Sequence, residues 1–486
     1  MNEHIAEFTD LRKKLHSSIP YRADAIIDLI DALSANTQAK SVAELSLDPL
    51  FRREYSSLYD AVDNFFVASC PEKAKQERDA HQKSLMHLVA PLCPRPTKQN
   101  FYLFALDATP QPRQFANTLQ DRGFVYKPNP IAKNKPVTIG HSYSILVAMP
   151  EKKGNNVPPW VLPLSSRRVP TDEKATDIGA AQVEALLEDK GLPFGQELTV
   201  LVADSAYSAV TFLGQQTTHK NQVTTVRVRG NRTFYRTPIQ DDTITARHKG
   251  HPTWYGRGFN AQDPSTWHPP DKTASTTYTT KKGRLCQAEI QAWHNMLMNG
   301  KKDIPMHQHP FTLIRITVTD DNGKAVYRRP MWIIVIGERR HEISVLEAYN
   351  AYGQRFDIEH FFRFGKNRLL MDDYQTSDVE HEENWWEIVS LAYIQLWSAA
   401  RIAQTCLRPW VRYLPIVQDK KTDLSSPSMV QRDMKRIIAR AGTSAKPPKP
   451  RGKSPGRQKG YSPGRRNRCP VIKKSVLRQP KVAHAP

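Results

Sequence analysis

Cysteine is scarce in this chain of 486 residues: there are five, Cys70, Cys93, Cys286, Cys406 and Cys469, with no C-x-x-C pair among them. That spacing offers neither a disulfide framework nor a cysteine-ligated zinc site, and it fits a reducing compartment. Long apolar runs are missing too. The most apolar helical stretch, 389–403, spans only about 15 residues and carries Arg401, so it cannot cross a bilayer. The first residues, MNEHIAEFTDLRKK, lack the apolar centre of a signal peptide. Histidine-rich spots such as His307-Gln-His309 and His248-Lys-Gly-His251 have no partners at metal-ligand spacing. A soluble intracellular protein is expected.

Acidic residues are absent from one whole region. Between Arg440 and Pro486 there are 14 basic and no acidic residues, whereas Met1–Arg95 holds 12 basic and 14 acidic ones. The formal net charge is +22, so the middle of the chain is also basic. An excess of this size points to a polyanion, most simply nucleic acid, with a membrane surface as the weaker alternative. The expected binding surface is therefore the middle plus the tail.

With 39% hydrophobic residues, the chain has enough apolar material for a substantial core in several structural units. Residues 1–95 read as helical, from Ile26, Ile27, Ile30 and Leu33 at helical spacing and from a second run, 52–66. A helix-turn-helix can be drawn with a break at Asp48-Pro49 and a recognition helix from Arg52; the acidic balance favours a packing role instead. After the Pro-rich break 91–96 the period changes. Phe101–Asp107 reads as a buried strand ending on a carboxylate, and further strands follow at 137–149 and 160–169. A helix with a capping-type entry at Thr171 runs to about residue 189, and Leu198–Asp204 is a second buried strand ending on Asp. Short β-like segments fill a β-rich insertion at about 223–330, followed by the strand MWIIVIG at 331–337. Helices are expected at 384–408 and 428–440. The Pro-, Gly-, Ser-, Lys- and Arg-rich residues 441–486 cannot bury enough apolar area to order themselves. This gives an α/β fold with four segments: helical 1–95, an α/β domain over 96–370, helical 371–440, and a disordered basic tail, 441–486.

One stretch carries the pattern Y-x2-R-x3-E-x6-K: Tyr352, Arg355, Glu359 and Lys366. On one α-helix, at about 100° per residue, all four fall within an arc of roughly 60°. Arg363 joins them by the same geometry. Such a face presents one carboxylate beside several phosphate partners. An ordinary amphipathic helix with Phe356, Phe361 and Phe364 packed behind it is the bland alternative.

Cleaving or transferring a phosphodiester requires that the attacking and leaving oxygens both be stabilised, which two divalent ions about 4 Å apart can do. Hard ions such as Mg²⁺ prefer carboxylate oxygens, so several acids from different elements are needed and no His or Cys. Asp107, Asp204 and Glu359 meet that demand. Taken singly, an Asp that closes a strand is more often a turn or a helix cap. Asp320-Asp321, Asp372-Asp373 and Glu382-Glu383 lie in loop-like or helix-start contexts and read as solvated or capping groups.

Together these residues resemble the insertion-sequence transposases with a ribonuclease H-like core and an Asp, Asp, Glu triad, specifically the group called insertion sequence four. Its C-terminal signature is the Tyr-Arg-Glu-Lys spacing at Tyr352, Arg355, Glu359 and Lys366. Its middle signature appears here as Asp204-Ser-Ala-Tyr207, with the aromatic one residue closer than usual. The resemblance spans about 101–366 and leaves out the N-terminal segment and the tail. It implies a mixed sheet flanked by helices, with Asp107, Asp204 and Glu359 holding two Mg²⁺ ions, for which Mn²⁺ can substitute. It also implies Tyr352, Arg355 and Lys366, joined by Arg363 from geometry, gripping the DNA near the element's ends. The activity implied is cut-and-paste transposition on double-stranded DNA, by a homodimer paired through helices after Asp378, in a bacterial cytoplasm and at the nucleoid. The rivals are a nuclease on the same core that does not rejoin strands and an inactive DNA-binding repressor. In such transposases an aromatic ring from the insertion holds a flipped base; Trp254, Trp267 and Trp293 are candidates that no motif separates.

Overall fold

The computed structural model describes residues 2–127, 136–154, 157–238, 254–280, 283–405, 413, 424–450, 452, 456–462 and 464–473. His248, His251, Cys406 and the tail beyond 473 lie outside them. The chain opens with helices α1 (Asn2–Ser18), α2 (Ala23–Ser34), α3 (Tyr55–Asp63) and α4 (Ala74–Val89). Four strands follow: β1 (Tyr102–Pro112), β2 (Gly123–Tyr126), β3 (Val137–Met149) and β4 (Leu162–Val169). Then come α5 (Ala175–Leu187), β5 (Thr199–Ala203), α6 (Val210–Gln216) and β6 (Gln222–Val228). The stretch read as an insertion holds β7 (Thr233–Tyr235), β8 (Gly258–Asn260), β9 (Lys272–Thr279), β10 (Leu285–Met296) and β11 (Phe311–Asp320). Strand β12 (Met331–Ile336) and helices α7 (Val345–Gln354), α8 (Phe356–Arg368), α9 (Val379–Thr405) and α10 (Pro427–Ala441) complete the order.

These elements form two compact units, and neither is continuous in sequence. The first comprises residues 1–94, 108–178 and 357–486, and the second 95–107 and 179–356. This partition cuts across the four sequential segments expected above.

The first unit is built around α9, against which α1, α2, α3, α10 and β4 pack. Apolar residues surround α9 because Trp385, Trp386, Ile388, Val389, Ala392, Tyr393 and Leu396 are all fully buried. The helix after Asp378, expected to pair two copies, is thus the core helix of this unit. Its polar residues are buried as well. Glu382 accepts from His141 Nδ1 at 2.7 Å and from the Tyr143 hydroxyl at 2.9 Å, with Arg113 Nε 3.1 Å from its other oxygen. Glu382 is therefore neither solvated nor a cap, because β3 brings His141 and Tyr143 to it and the residue after β1 brings Arg113. The first-segment helices are packing elements: in α2, Ile26, Ile27, Ile30 and Leu33 are fully buried, and Asp31 holds both arms of Arg12 at 2.7 Å. Arg52, placed at the start of a drawn recognition helix, instead binds Asp28 at 2.7 Å.

In the second unit, β1, β5 and β6 run parallel, with Leu106 opposite Ala203 and Ala203 opposite Val226. Strand β6 then meets β12 antiparallel, and β11, β10 and β9 continue outward in that order. Three strands of the expected insertion therefore extend the main sheet, since β12 bonds to both β6 and β11. Val223, taken as the insertion's first residue, lies in β6, a core strand. Among the described residues, β7 and β8 form a separate two-stranded sheet. The mixed α/β class expected from the sequence holds.

The basic tail departs from the expected disorder at two places within the first unit. The Lys446 N–H donates to Asp24 at 2.9 Å, and the carbonyls of Ala445 and Lys446 accept from Arg52 and Arg53 at 3.1 and 2.8 Å. Further on, Cys469 N–H donates to the Asn117 carbonyl and Ile472 N–H to the Arg122 carbonyl, both at 2.8 Å. Backbone groups, whose pairing does not depend on apolar content, make these attachments.

Candidate active site

Continuing the parallel register by one residue beyond Leu106, Ala203 and Val226 brings Asp107, Asp204 and Arg227 into one row across three neighbouring strands. The two carboxylates and Arg227 thus each directly follow the last paired residues of three neighbouring strands, at one edge of the second unit. The placement follows from composition: β5, TVLVA, is buried throughout, and the first polar residue after it is Asp204. Arg227 is exposed in a strand whose other residues are all buried. Asp107 is not the end of its strand, because β1 runs on to Pro112; only its pairing with β5 ends there.

Asp204 caps the short 3-10 helix Ser205–Ser208, accepting from Ala206 N–H at 2.8 Å through Oδ1. The capping role weighed from sequence is real and occupies one oxygen. Tyr207 of the same motif is 1% exposed and packs edge-on against Phe212, a core position. Arg232 donates to the Ser208 carbonyl and hydroxyl, both at 3.1 Å, which ties a second arginine to this turn.

Tyr352, Arg355, Glu359 and Lys366 do not share one helix. Ser344 and Glu347 start α7 with a capping box, and the helix ends at Gln354. At Arg355 the N–H bonds to the Tyr352 carbonyl three residues back, the tighter 3-10 spacing, and α8 begins at Phe356. Gly353, the poorest helix former after proline, sits just before the break. The single 60° face therefore does not exist as drawn. Phe356, expected to pack behind it, is 48% exposed.

Tyr352 and Arg355 belong to the second unit with Asp107 and Asp204. The Arg355 guanidinium, in a residue only 6% exposed, lies 3.7 Å from Asp107 Oδ2 and stacks over the rings of Phe356 and Tyr352. Burial raises the Tyr352 phenol pKa; the charges of Arg355 and Arg227 and a hydrogen bond with Arg355 pull it back, and the Asp204 charge adds to the rise. Arg227 and Asp204 are charges of the strand edge, so the phenol lies near it.

Glu359, Arg363 and Lys366 lie on α8 in the first unit. Arg363 is exposed, Glu359 is half-buried, and Lys366 Nζ donates to the Pro110 carbonyl at 2.7 Å. Burial lowers the Lys366 pKa against the opposing charge of Asp372, 4.0 Å away. Burial raises the Asp372 pKa in turn. Asp372 is thus a half-buried partner of Lys366 rather than a solvated loop acid.

Among the described residues, no group of three or more His, Cys, Asp or Glu side chains is placed to hold a metal ion. The row itself offers two carboxylates and no soft donor, which suits a hard divalent cation. Of the three tryptophans, Trp267 and Trp293 belong to an aromatic cluster with Phe259 and Trp332, and Trp293 is 1% exposed. Trp254 is 45% exposed and stacks on His307 with ring centres 4.4 Å apart.

Arg227 was not found by sequence reasoning. Its signal, a lone charge in an otherwise buried strand, acquires meaning only once the neighbouring strand places it beside Asp204.

Comparison with curated proteins returns no match. Comparison with protein-family models does: residues 14–300 match the model described as DDE superfamily endonuclease. The match begins within α1, in the segment that the sequence resemblance had left out, and ends before Tyr352. Asp107, Asp204 and Arg227 lie within it. A ribonuclease H-like reading of the mixed sheet flanked by helices agrees with this family, as does a DNA substrate. No helix among the described residues is long and apolar enough to cross a membrane. The chain belongs to the DDE superfamily endonucleases.

Proposed function

We propose that this protein is a cut-and-paste DNA transposase, cleaving at the ends of its own element and joining them to target DNA. The observation that carries the reading is the strand edge, where Asp107 and Asp204 each directly follow the paired residues Leu106 and Ala203 of adjacent parallel strands, with Arg355 3.7 Å from Asp107. Asp107 and Asp204 would hold a divalent ion, Mg²⁺ or in its place Mn²⁺; Glu359, the third acid of the sequence pattern, lies in the other unit. When bound, such ions lower the pKa of water and offset charge on the attacking and leaving oxygens.

The chain's own residues do the rest. Arg355, fixed by two aromatic rings and by Asp107, offers a planar fork for a phosphate. Arg227, which directly follows Val226 in β6, adds a second cation for the same strand, and the buried Tyr352 hydroxyl, hydrogen-bonded with Arg355, helps to hold that guanidinium. Arg363 is an exposed cation on α8 for the backbone further along. Lys366 acts at one remove: its bond to Pro110 ties α8 to the end of β1. Because both ends of an element must be held before cutting, a homodimer on DNA is part of this reading.

The test incubates the full chain with Mg²⁺ and labelled duplex carrying the sequences that flank its gene. Nicks leaving a 3′-hydroxyl, followed by joined product, are expected. Nicks never followed by joining would make it a nuclease, and binding without cleavage a repressor. Asp204→Asn keeps the helix cap but loses the carboxylate charge, so cleavage should drop by roughly three orders of magnitude or more while DNA binding stays. Full activity in that variant would remove Asp204 from the site.

A further inference from the structure

The tail's two attachments enclose residues 447–468, which contain eight lysines and arginines and no acid. Among those described, Lys449, Arg457, Lys459, Arg465, Arg466 and Arg468 are all exposed, and none forms an ion pair with another described residue. Six exposed cations thus lie between the two anchors with no counter-charge among the described residues. The anchors are substantial. At the far end, Arg122, only 2% exposed, donates to the Cys469 carbonyl at 3.2 Å, beside the backbone bonds of Cys469 and Ile472. At the near end, Asp24, Arg52 and Arg53 hold Ala445 and Lys446, and Ala445 is buried. A merely solubilising extension has no need of a buried arginine at its distal end.

We propose that the described cations Lys449, Arg457, Lys459, Arg465, Arg466 and Arg468, held between the two anchors, form a doubly tethered strap that binds the phosphate backbone of duplex DNA without reading its sequence. Fixing both ends removes in advance much of the chain entropy that a free tail loses on binding. Phosphate is the chemistry six exposed, unpaired cations select, and each phosphate neutralised releases counterions, so binding by the strap is salt-dependent. The strap contains no carboxylate, so it supplies affinity rather than chemistry. The proposal rests on duplex DNA being the substrate.

The experiment compares the full chain with a variant carrying Lys449→Gln, Arg457→Gln, Lys459→Gln, Arg465→Gln, Arg466→Gln and Arg468→Gln, measuring affinity for an arbitrary duplex over a range of salt. With up to six phosphates no longer neutralised, the slope of log affinity against log salt should become shallower by roughly 3–5. Cleavage at saturating DNA should be unchanged. Equal slopes in two proteins that both bind and cleave DNA would overturn the strap and leave the functional reading intact. Failure of both proteins to bind duplex would overturn both. Vesicles of anionic phospholipid serve as competitor: if they displace DNA from the full chain and not from the variant, the strap is a membrane-binding surface and the proposal fails.

Discussion

His381 and Asp63 meet at 2.9 Å in the first unit, and the hydrogen bond, aided by the carboxylate charge and opposed by burial, raises the histidine pKa. The protonated form is therefore favoured in the folded state. The stability it contributes is complete below the unfolded value of about 6.5 and is lost as pH rises through the raised folded value. Asp63→Asn keeps an acceptor for Tyr374, which donates to Asp63 at 3.2 Å, but removes the charge. Melting curves should show the natural protein more stable than Asp63→Asn near pH 6, by a degree or two, with the difference shrinking above neutrality; a constant gap would refute the linkage. At this scale the site was partly legible. Asp107 and Asp204 stood out because each is the first charge after an almost wholly apolar run, and burial makes such runs readable. Arg227 was not, since nothing in the sequence tells which residue of a neighbouring strand lies level with another. Nor was the Lys366 contact with Pro110, which joins residues 256 positions apart.

Strands and helices that bury one type of surface were readable; interruptions were not. Strand β3 runs from Val137 to Met149 as expected, and β5 lies within the expected run, because alternating or continuous apolar character survives any tertiary context. The break at Arg355 depends on a hydrogen bond shifting from four residues back to three, which leaves the apolar pattern unchanged. The polar half of α9 misled in another way. Glu382 reads as a helix-start acid, yet it is fully buried with Arg113, His141 and Tyr143 around it. Glu382→Ala would leave the Arg113 guanidinium buried beside a hole, a loss of about 3–5 kcal/mol. Denaturant unfolding measures it, and a loss under about 1 kcal/mol, the size of an ordinary surface ion pair, would mean that the cluster is dispensable.

At the level of the whole molecule, charge separation was readable from composition, but the grouping of segments was not. The helices of residues 1–94 share a core with residues 357–441, because Asp31 of α2 holds Gln395 of α9 at 2.9 Å and Arg78 of α4 reaches Asn384 at 2.7 Å. A fragment ending at residue 94 lacks α9 and should show no cooperative thermal transition by circular dichroism; a sharp transition would show that these helices fold alone. The same packing sets an order of events during synthesis. Helices α1 and α2 leave the ribosome first and must then wait for α9, which at about 5–20 residues per second is a delay of roughly 20 s to over a minute. Throughout that interval α2 has only α1 and α3 to cover it, so this protein's yield in a cell depends on what shelters the rest of that apolar face until α9 arrives.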